Sequence, residues 1–220
     1  LLQKRSAAAP HAVQPYTLPD FAAHPVGALP ALMARFATVA QCPAEYAEPL
    51  SLLVFPLSEA AAVPAAWRKK TLLELPRITF GAAEAKTAAA VASLDPDEFG
   101  GLVINNPAQL RYTKNWRKYG GLGLNVTNPM SAARYAALGL QGMLLQPETA
   151  LSAMQEVAPG VPTAALCYGH LPLMLTRACP LRNVHTCAEC TGGGTLRDRK
   201  GRDFTVTCSA PGGAGLRTVF

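Results

Sequence analysis

The stretch that decides the fold runs Gly121-Leu-Gly-Leu-Asn-Val126, Asn128-Pro129, Gly142-Met-Leu-Leu145, Pro147-Glu148 and Pro162-Thr-Ala-Ala-Leu166. Its three apolar runs start about 20 residues apart, and each has the length of a buried strand. Asn128 as a cap and Pro129 in the first turn open a helix between the first two, which Gly139 ends. Pro147-Glu148 opens the next, with Leu151, Met154 and Val157 on one side and Pro159-Gly160 as its stop. Strand and helix in alternation predict an α/β fold with a parallel sheet, either open or closed into a barrel.

The same grammar extends toward the N-terminus. Leu50-Ser-Leu-Leu-Val-Phe55 reads as a buried strand closed by Pro56. Thr71-Leu-Leu-Glu-Leu75 reads as a second and Gly101-Leu-Val-Ile-Asn105 as a third, with an Ala-rich helix over 82–93 between them. Asn106-Pro107 caps and opens a helix directed toward Trp116. Residues 1–49 are Ala- and Pro-rich and read as a linker or surface segment, with a short helix over 29–40. The expected organisation is that segment, a partial α/β barrel over 50–168 and a Cys-rich metal-binding module over 169–220. Asn105, Asn125 and Gln146 fall at or just past strand C-termini, the edge where α/β folds bind ligands. Each could equally do no more than cap the following helix.

Composition narrows the classes. The chain has 220 residues, 50% of them apolar and 15% charged, which belongs to a packed protein and excludes a disordered one. The formal net charge of +6 leans toward anionic partners but also suits a merely basic solvated face. No apolar run reaches the ~20 residues of a membrane-spanning helix. Leu1 to Pro10 lack the apolar run and cleavage site of a secretory signal, and no Met starts the chain, so a cytoplasmic fragment is expected.

The six cysteines are unevenly placed. Cys42 and Cys167 stand alone, while Cys179, Cys187, Cys190 and Cys208 follow a C-x7-C-x2-C-x17-C spacing. Six are too few for a disulfide scaffold, and clustering of this kind argues for metal. The C-x2-C pair lets two thiolates reach one metal from a tight turn. Four thiolates suit structural zinc or an iron–sulfur cluster, and spacing does not separate the two. Around them Arg177, Arg182, Arg197, Arg199, Lys200 and Arg202 outnumber Glu189, Asp198 and Asp203. The Gly192–Gly194 run, a turn at 198–201 and a final strand over 204–207 complete an irregular, basic module. Zincin, nucleophile-elbow and phosphate-loop motifs are absent. Cys167 could be a thiol nucleophile with His170 beside it, although a cysteine at a strand end is more often core. His170 and His185 could be acid–base groups or plain loop residues, and Glu148 is the best single acid, or only a favourable charge at a helix N-terminus.

The residues Cys167-Tyr-Gly-His-Leu-Pro-Leu-Met174, Arg177-Ala-Cys-Pro180, Cys187-Ala-Glu-Cys190 and Leu196-Arg-Asp-Arg-Lys-Gly201, with Phe204 and Cys208, resemble the U32 family of collagenase-like peptidases. Glu74-Leu-Pro-Arg77, Gly123-Leu-Asn-Val-Thr-Asn-Pro129 and Leu145-Gln-Pro-Glu148 are similar to it as well. The resemblance implies a TIM-like barrel of which this chain holds the second half. It implies that Cys179, Cys187, Cys190 and Cys208 bind a 4Fe-4S cluster, zinc being the alternative from the residues themselves. Members named as peptidases stand beside members that hydroxylate a pyrimidine in RNA, and others act in oxygen-independent ubiquinone synthesis. The Tyr-Gly-x-Leu-Pro-Leu-Met form is similar to the ribosomal RNA cytidine hydroxylase branch, where prephenate is linked to the reaction. Tyr168-Gly169 stands where many relatives have His-Gly, and Gln146 where Ser is frequent.

These expectations give roles. On the RNA reading, Arg177, Arg182, Arg197, Arg199 and Lys200 approach phosphate, and Asn125 and Glu148 line a substrate pocket. On the peptidase reading, Cys167, His170 and Glu148 would be catalytic. A third reading is a zinc-stabilised nucleic-acid-binding or scaffold module without catalysis. The chain alone could also be inactive, whatever its parent does.

Overall fold

The computed structural model describes residues 31–79, 81–157, 160–183, 186–208 and 217–220. Most of the Ala- and Pro-rich start, the Pro159 helix stop and His185 lie outside them. The chain divides into two compact units between Leu166 and Cys167.

The first unit is an α/β half-barrel. Its strands are β1 (Met33–Arg35), β2 (Leu52–Pro56), β3 (Thr71–Glu74), β4 (Gly101–Ile104), β5 (Lys118–Gly120), β6 (Leu140–Leu144) and β7 (Thr163–Ala164). They pair in sequence order, every neighbour parallel, in one curled seven-stranded sheet. The apolar runs explain the parallel arrangement, because both faces of the central strands are covered. Leu53, Phe55, Leu73, Leu75, Leu102 and Ile104 enter the large core with Val91 of the helix Ala82–Ala92 and Ala132 of the helix Pro129–Ala137. Val54, Leu72 and Val103, one residue out of phase, form a smaller cluster on the other face against Leu52 and Tyr119. Side chains alternate across a strand, so a run without polar breaks feeds both clusters.

Local chemistry departs from the expected elements at several points. The segment around Met33–Arg35 is a strand, not part of a helix over 29–40. It pairs with β2, and Phe36 N–H donates to the Val54 carbonyl at 3.0 Å, so sheet pairing overrides the helical preference of Met, Ala and Arg. Gly121–Val126 is not a strand either. The β-strand ends at Gly120, Leu122–Leu124 forms a turn of 3-10 helix, and Asn125 is left-handed with φ 53°. A Cβ at Gly123 would run into the Asn105 carbonyl, and one at Gly121 into the Asn105 side chain. The alternating glycines mark close backbone approach, not a pleat. Asn106 caps as expected, its Oδ1 accepting from Ala108 N–H at 2.9 Å, but the element is a 3-10 turn that ends at Tyr112. The helix expected from Pro147 spans Leu151–Gln155. Val157 is buried, while Leu151 points out and is 71% exposed.

The second unit is more ordered than its sequence suggests. β8 (Met174–Thr176), β9 (Gly193–Arg197), β10 (Asp203–Cys208) and β11 (Arg217–Val219) form an antiparallel sheet in the order β8-β11-β10-β9. The glycine run belongs to β9, where a Cβ at Gly193 would press on the Val206 carbonyl and one at Gly194 on Leu181. The expected turn between β9 and β10 is present. Asp198 Oδ1 accepts from Lys200 N–H at 2.7 Å and Arg202 N–H at 2.9 Å, and Gly201 takes φ 76°. Leu181, Val206 and Val219 are this unit's fully buried cluster, with Cys179, Leu196 and Phe204 packed against it. Among the described residues, no helix is long and apolar enough to cross a membrane.

Candidate metal centre

Each of the four cysteines is placed by a different piece of backbone. Cys208 ends β10, and its N–H donates to the Gly192 carbonyl at 2.8 Å, which draws the strand end toward the segment following Cys190. Cys187 and Cys190 share one turn, closed by Cys190 N–H to the Cys187 carbonyl at 3.4 Å. That turn is braced from within: Glu189 Oε2 accepts from Thr186 N–H at 3.1 Å and from Thr186 Oγ1 at 2.8 Å. Gly192 N–H donates to Cys190 Sγ at 3.4 Å, which fixes the sulfur against the start of the following segment. Cys179 follows β8, half-buried against the Leu181–Val206–Val219 cluster, and its carbonyl accepts from Arg182 N–H at 3.2 Å.

The result is one shallow cleft, lined by Cys179, Cys187, Cys190 and Cys208 together with Thr186, Arg182 and Arg217. All four carry free thiols and all four are half-buried. Among the described residues, no three His, Cys, Asp or Glu side chains converge tightly enough to hold one ion. The thiols therefore stand around the cleft without meeting at a point. A zinc with Zn–S bonds of ~2.3 Å would draw four sulfurs to within roughly 3.8 Å of one another. Such closure is within reach of structural metal binding, worth about 10–16 kcal/mol for zinc in small modules. The donor set itself, all sulfur, fits zinc or an iron–sulfur cluster and suits neither magnesium nor calcium.

The other expected residues divide between the two units. Cys167 and His170 lie in the second unit, both exposed, with the His170 ring edge-on to Phe220 at 6.5 Å. Glu148 and Asn125 lie in the first, exposed on the loops after β6 and β5. Arg177, Arg182, Arg199 and Lys200 are exposed. Arg197 is exposed too, but its guanidinium is engaged with Asp203 across the β9–β10 pair at 2.6 and 2.9 Å. That bond raises the pKa of Arg197 and holds the Asp203 carboxyl below its ordinary range. Cys42, the other isolated cysteine, is buried, and burial pushes its thiol pKa up, which suits an inert core residue.

Asn105 plays neither of the parts expected of it. It is 2% exposed, and Asn106 does the capping. Its Nδ2 donates to the Leu75 carbonyl at 2.9 Å and to Glu74 at 3.2 Å, while its Oδ1 accepts from Gly123 N–H at 3.0 Å. Glu74 in turn meets Arg35 at 2.6 Å. This network ties the ends of β1, β3 and β4 to the turn that presents Asn125. Sequence reasoning missed Arg35 and Arg217. The signal for Arg35 lay in a segment read as helix, and Arg217 stands nine residues beyond the last cysteine. No family model, no curated protein and no solved structure matches the chain.

Proposed function

We propose that the second unit is a cysteine-ligated metal module, that its group is a 4Fe-4S cluster, and that the chain serves pyrimidine hydroxylation in ribosomal RNA. One observation carries the first part. Four cysteines spread over 30 residues line a single cleft, beside a cluster that among the described residues buries Leu181, Val206 and Val219. A cross-link stabilises a unit of 54 residues most where its core is small, and small domains commonly take one from metal. Cys179, Cys187, Cys190 and Cys208 would hold the group. When bound, a cluster supplies a structural tie and a store for one electron.

The choice of cluster over zinc, and of RNA with prephenate as partners, rests on the U32 resemblance. The surface is consistent with it. The second unit has seven Lys and Arg against three Asp and Glu, and exposed Arg177, Arg182, Arg199 and Lys200 could meet phosphate. Tyr168 is 96% exposed, as a stacking partner for an unpaired base would be. Asn125 and Glu148 remain the candidates for a pocket at the C-terminal edge of the half-barrel. The peptidase reading would draw on Cys167, His170 and Glu148, which the two units divide between them.

Metal and acid-labile sulfide analysis of the chain purified without air tests the proposal. Iron and sulfide in equal amounts, with a brown chromophore lost in Cys187→Ala, are expected. Zinc without sulfide would remove the cluster and leave a structural zinc module. No metal at all would remove both.

A further inference from the structure

We infer that Arg35 is the anion-binding residue of a small-ligand site at the C-terminal edge of the half-barrel, its guanidinium taking two oxygens of a carboxylate or phosphate group. The inference goes beyond the metal module and stands apart from it, because every residue it uses lies in the first unit.

The strand ends set the place. Arg35 closes β1 and Glu74 closes β3, and every strand pair between them is parallel, so both stand at one edge of the sheet. Arg35 is level with Val54, Val54 with Leu72, and Glu74 lies two residues past Leu72. Register therefore puts both side chains on the face of the Val54–Leu72–Val103 cluster, and the ion pair reaches across β2. That cluster is built from strand residues alone, whereas helices pack into the larger one. The C-terminal edge of a parallel α/β sheet is where such folds hold ligands.

The pair differs from an ordinary surface ion pair in how it is held. The Glu74 side chain is only 17% exposed, and both its oxygens are engaged. Oε2 accepts from Arg35 Nε at 2.6 Å and Oε1 from Asn105 Nδ2 at 3.2 Å. Asn105 is itself fixed by the Leu75 carbonyl and Gly123 N–H. A free arginine gives up rotamer freedom when it binds a ligand, and an anchored one has already given it up. Only Nε of Arg35 is used. Its Nη1 and Nη2 make no hydrogen bond among the described residues, and the side chain is 56% exposed. Those N–H groups form the planar fork that matches the paired oxygens of a carboxylate or phosphate. Glu74 balances the charge of Arg35, and Arg77 supplies the excess that draws an anion. Arg77 follows Glu74 by three residues, at most about 10 Å of chain. It is half-buried and makes no hydrogen bond or ion pair among the described residues.

The test follows the backbone amides of the full chain by NMR during titration with inorganic phosphate and, separately, malonate, at an ionic strength held constant with chloride. Shifts confined to residues 35–38, 74–77 and 121–125 are expected with at least one of the two anions. The tighter of them shows whether the ligand is a phosphate or a carboxylate. Arg35→Gln should weaken that binding roughly tenfold, the worth of a charge-assisted bidentate contact. Arg35→Lys keeps the charge and loses the fork, and should weaken it about threefold or more. Arg111→Gln removes an arginine paired with Glu84 elsewhere in the same unit and should leave affinity unchanged. No shift at the edge with either anion would overturn the inference, as would equal affinity in Arg35→Gln and wild type. An equal loss in Arg111→Gln would also overturn it, because the effect would then follow net charge alone. Should Arg35→Gln fail to fold, Arg35→Lys decides: weakened binding supports the inference, and wild-type affinity overturns it. A chain without metal that still binds the anion refutes only the metal module.

Discussion

The two units reach order by different means. In the half-barrel, parallel strands bury apolar side chains on both faces, and helices cover the larger cluster. In the second unit, an antiparallel sheet buries three apolar side chains among the described residues, and four thiols stand around a cleft beside them. Hydrophobic burial holds the first together. The described part of the second shows much less of it, and on the proposal above metal makes up the difference. The lesson concerns cysteine: where the core is adequate, Cys42 is one more buried apolar residue, and where it is inadequate, cysteines gather.

The largest effect should come from removing a ligand. Cys187→Ala should abolish metal binding and unfold the second unit, leaving the half-barrel's amide protection as in wild type. Hydrogen exchange read by unit checks both halves of that statement, and loss of protection throughout would break the comparison. Phe55→Ala is the converse experiment. Phe55 is fully buried and stacks on Phe36 at 5.8 Å, so truncation should cost the half-barrel about 3–5 kcal/mol and leave metal content unchanged. Urea denaturation with metal analysis of the same samples measures both.

A smaller effect sharpens the picture of the half-barrel's C-terminal strand edge. Asn105→Ala removes bonds to Leu75, Glu74 and Gly123 and should destabilise the first unit by roughly 2–3 kcal/mol. It should also loosen the left-handed turn at Asn125, visible as faster amide exchange over 121–126. Unchanged exchange there would detach Asn105 from the candidate pocket. The smallest effect belongs to the β9–β10 surface. The Arg197 bond lowers the Asp203 pKa, so its contribution is present above the unfolded carboxyl value of about 3.9 and fades as pH falls through the folded value. A carboxyl-carbon NMR titration should place the Asp203 midpoint below that of an ordinary aspartate, and Arg197→Gln should restore it. Both side chains are exposed, so the melting temperature should scarcely move.

Much of this architecture was legible in the residues. Apolar runs at 50–55, 71–75 and 101–105 needed no tertiary information to read as buried strands, and Asn128-Pro129 and Gly139 bracketed their helix correctly. Gly121–Val126 misled because glycine between leucines looks like strand alternation, whereas Gly121 and Gly123 serve the approach to Asn105, 16 and 18 residues away in no local pattern. Met33–Arg35 misled because helix-prone residues take a strand only when a partner strand is waiting. The four cysteines stood out by spacing. The place of Arg217 on the cleft wall did not, because its pairing with Cys208 is a matter of register between β10 and β11, invisible to a scan for motifs.

The central claim is that metal does for the second unit what apolar burial does for the first. Amide exchange of the full chain, purified without air and measured before and after metal is stripped, tests it most directly. Stripping should collapse protection over Cys179–Cys208 and leave β2, β3 and β4 protected as before. Unchanged protection in the second unit after stripping, or an as-purified chain whose four thiols all alkylate at once, would contradict the claim.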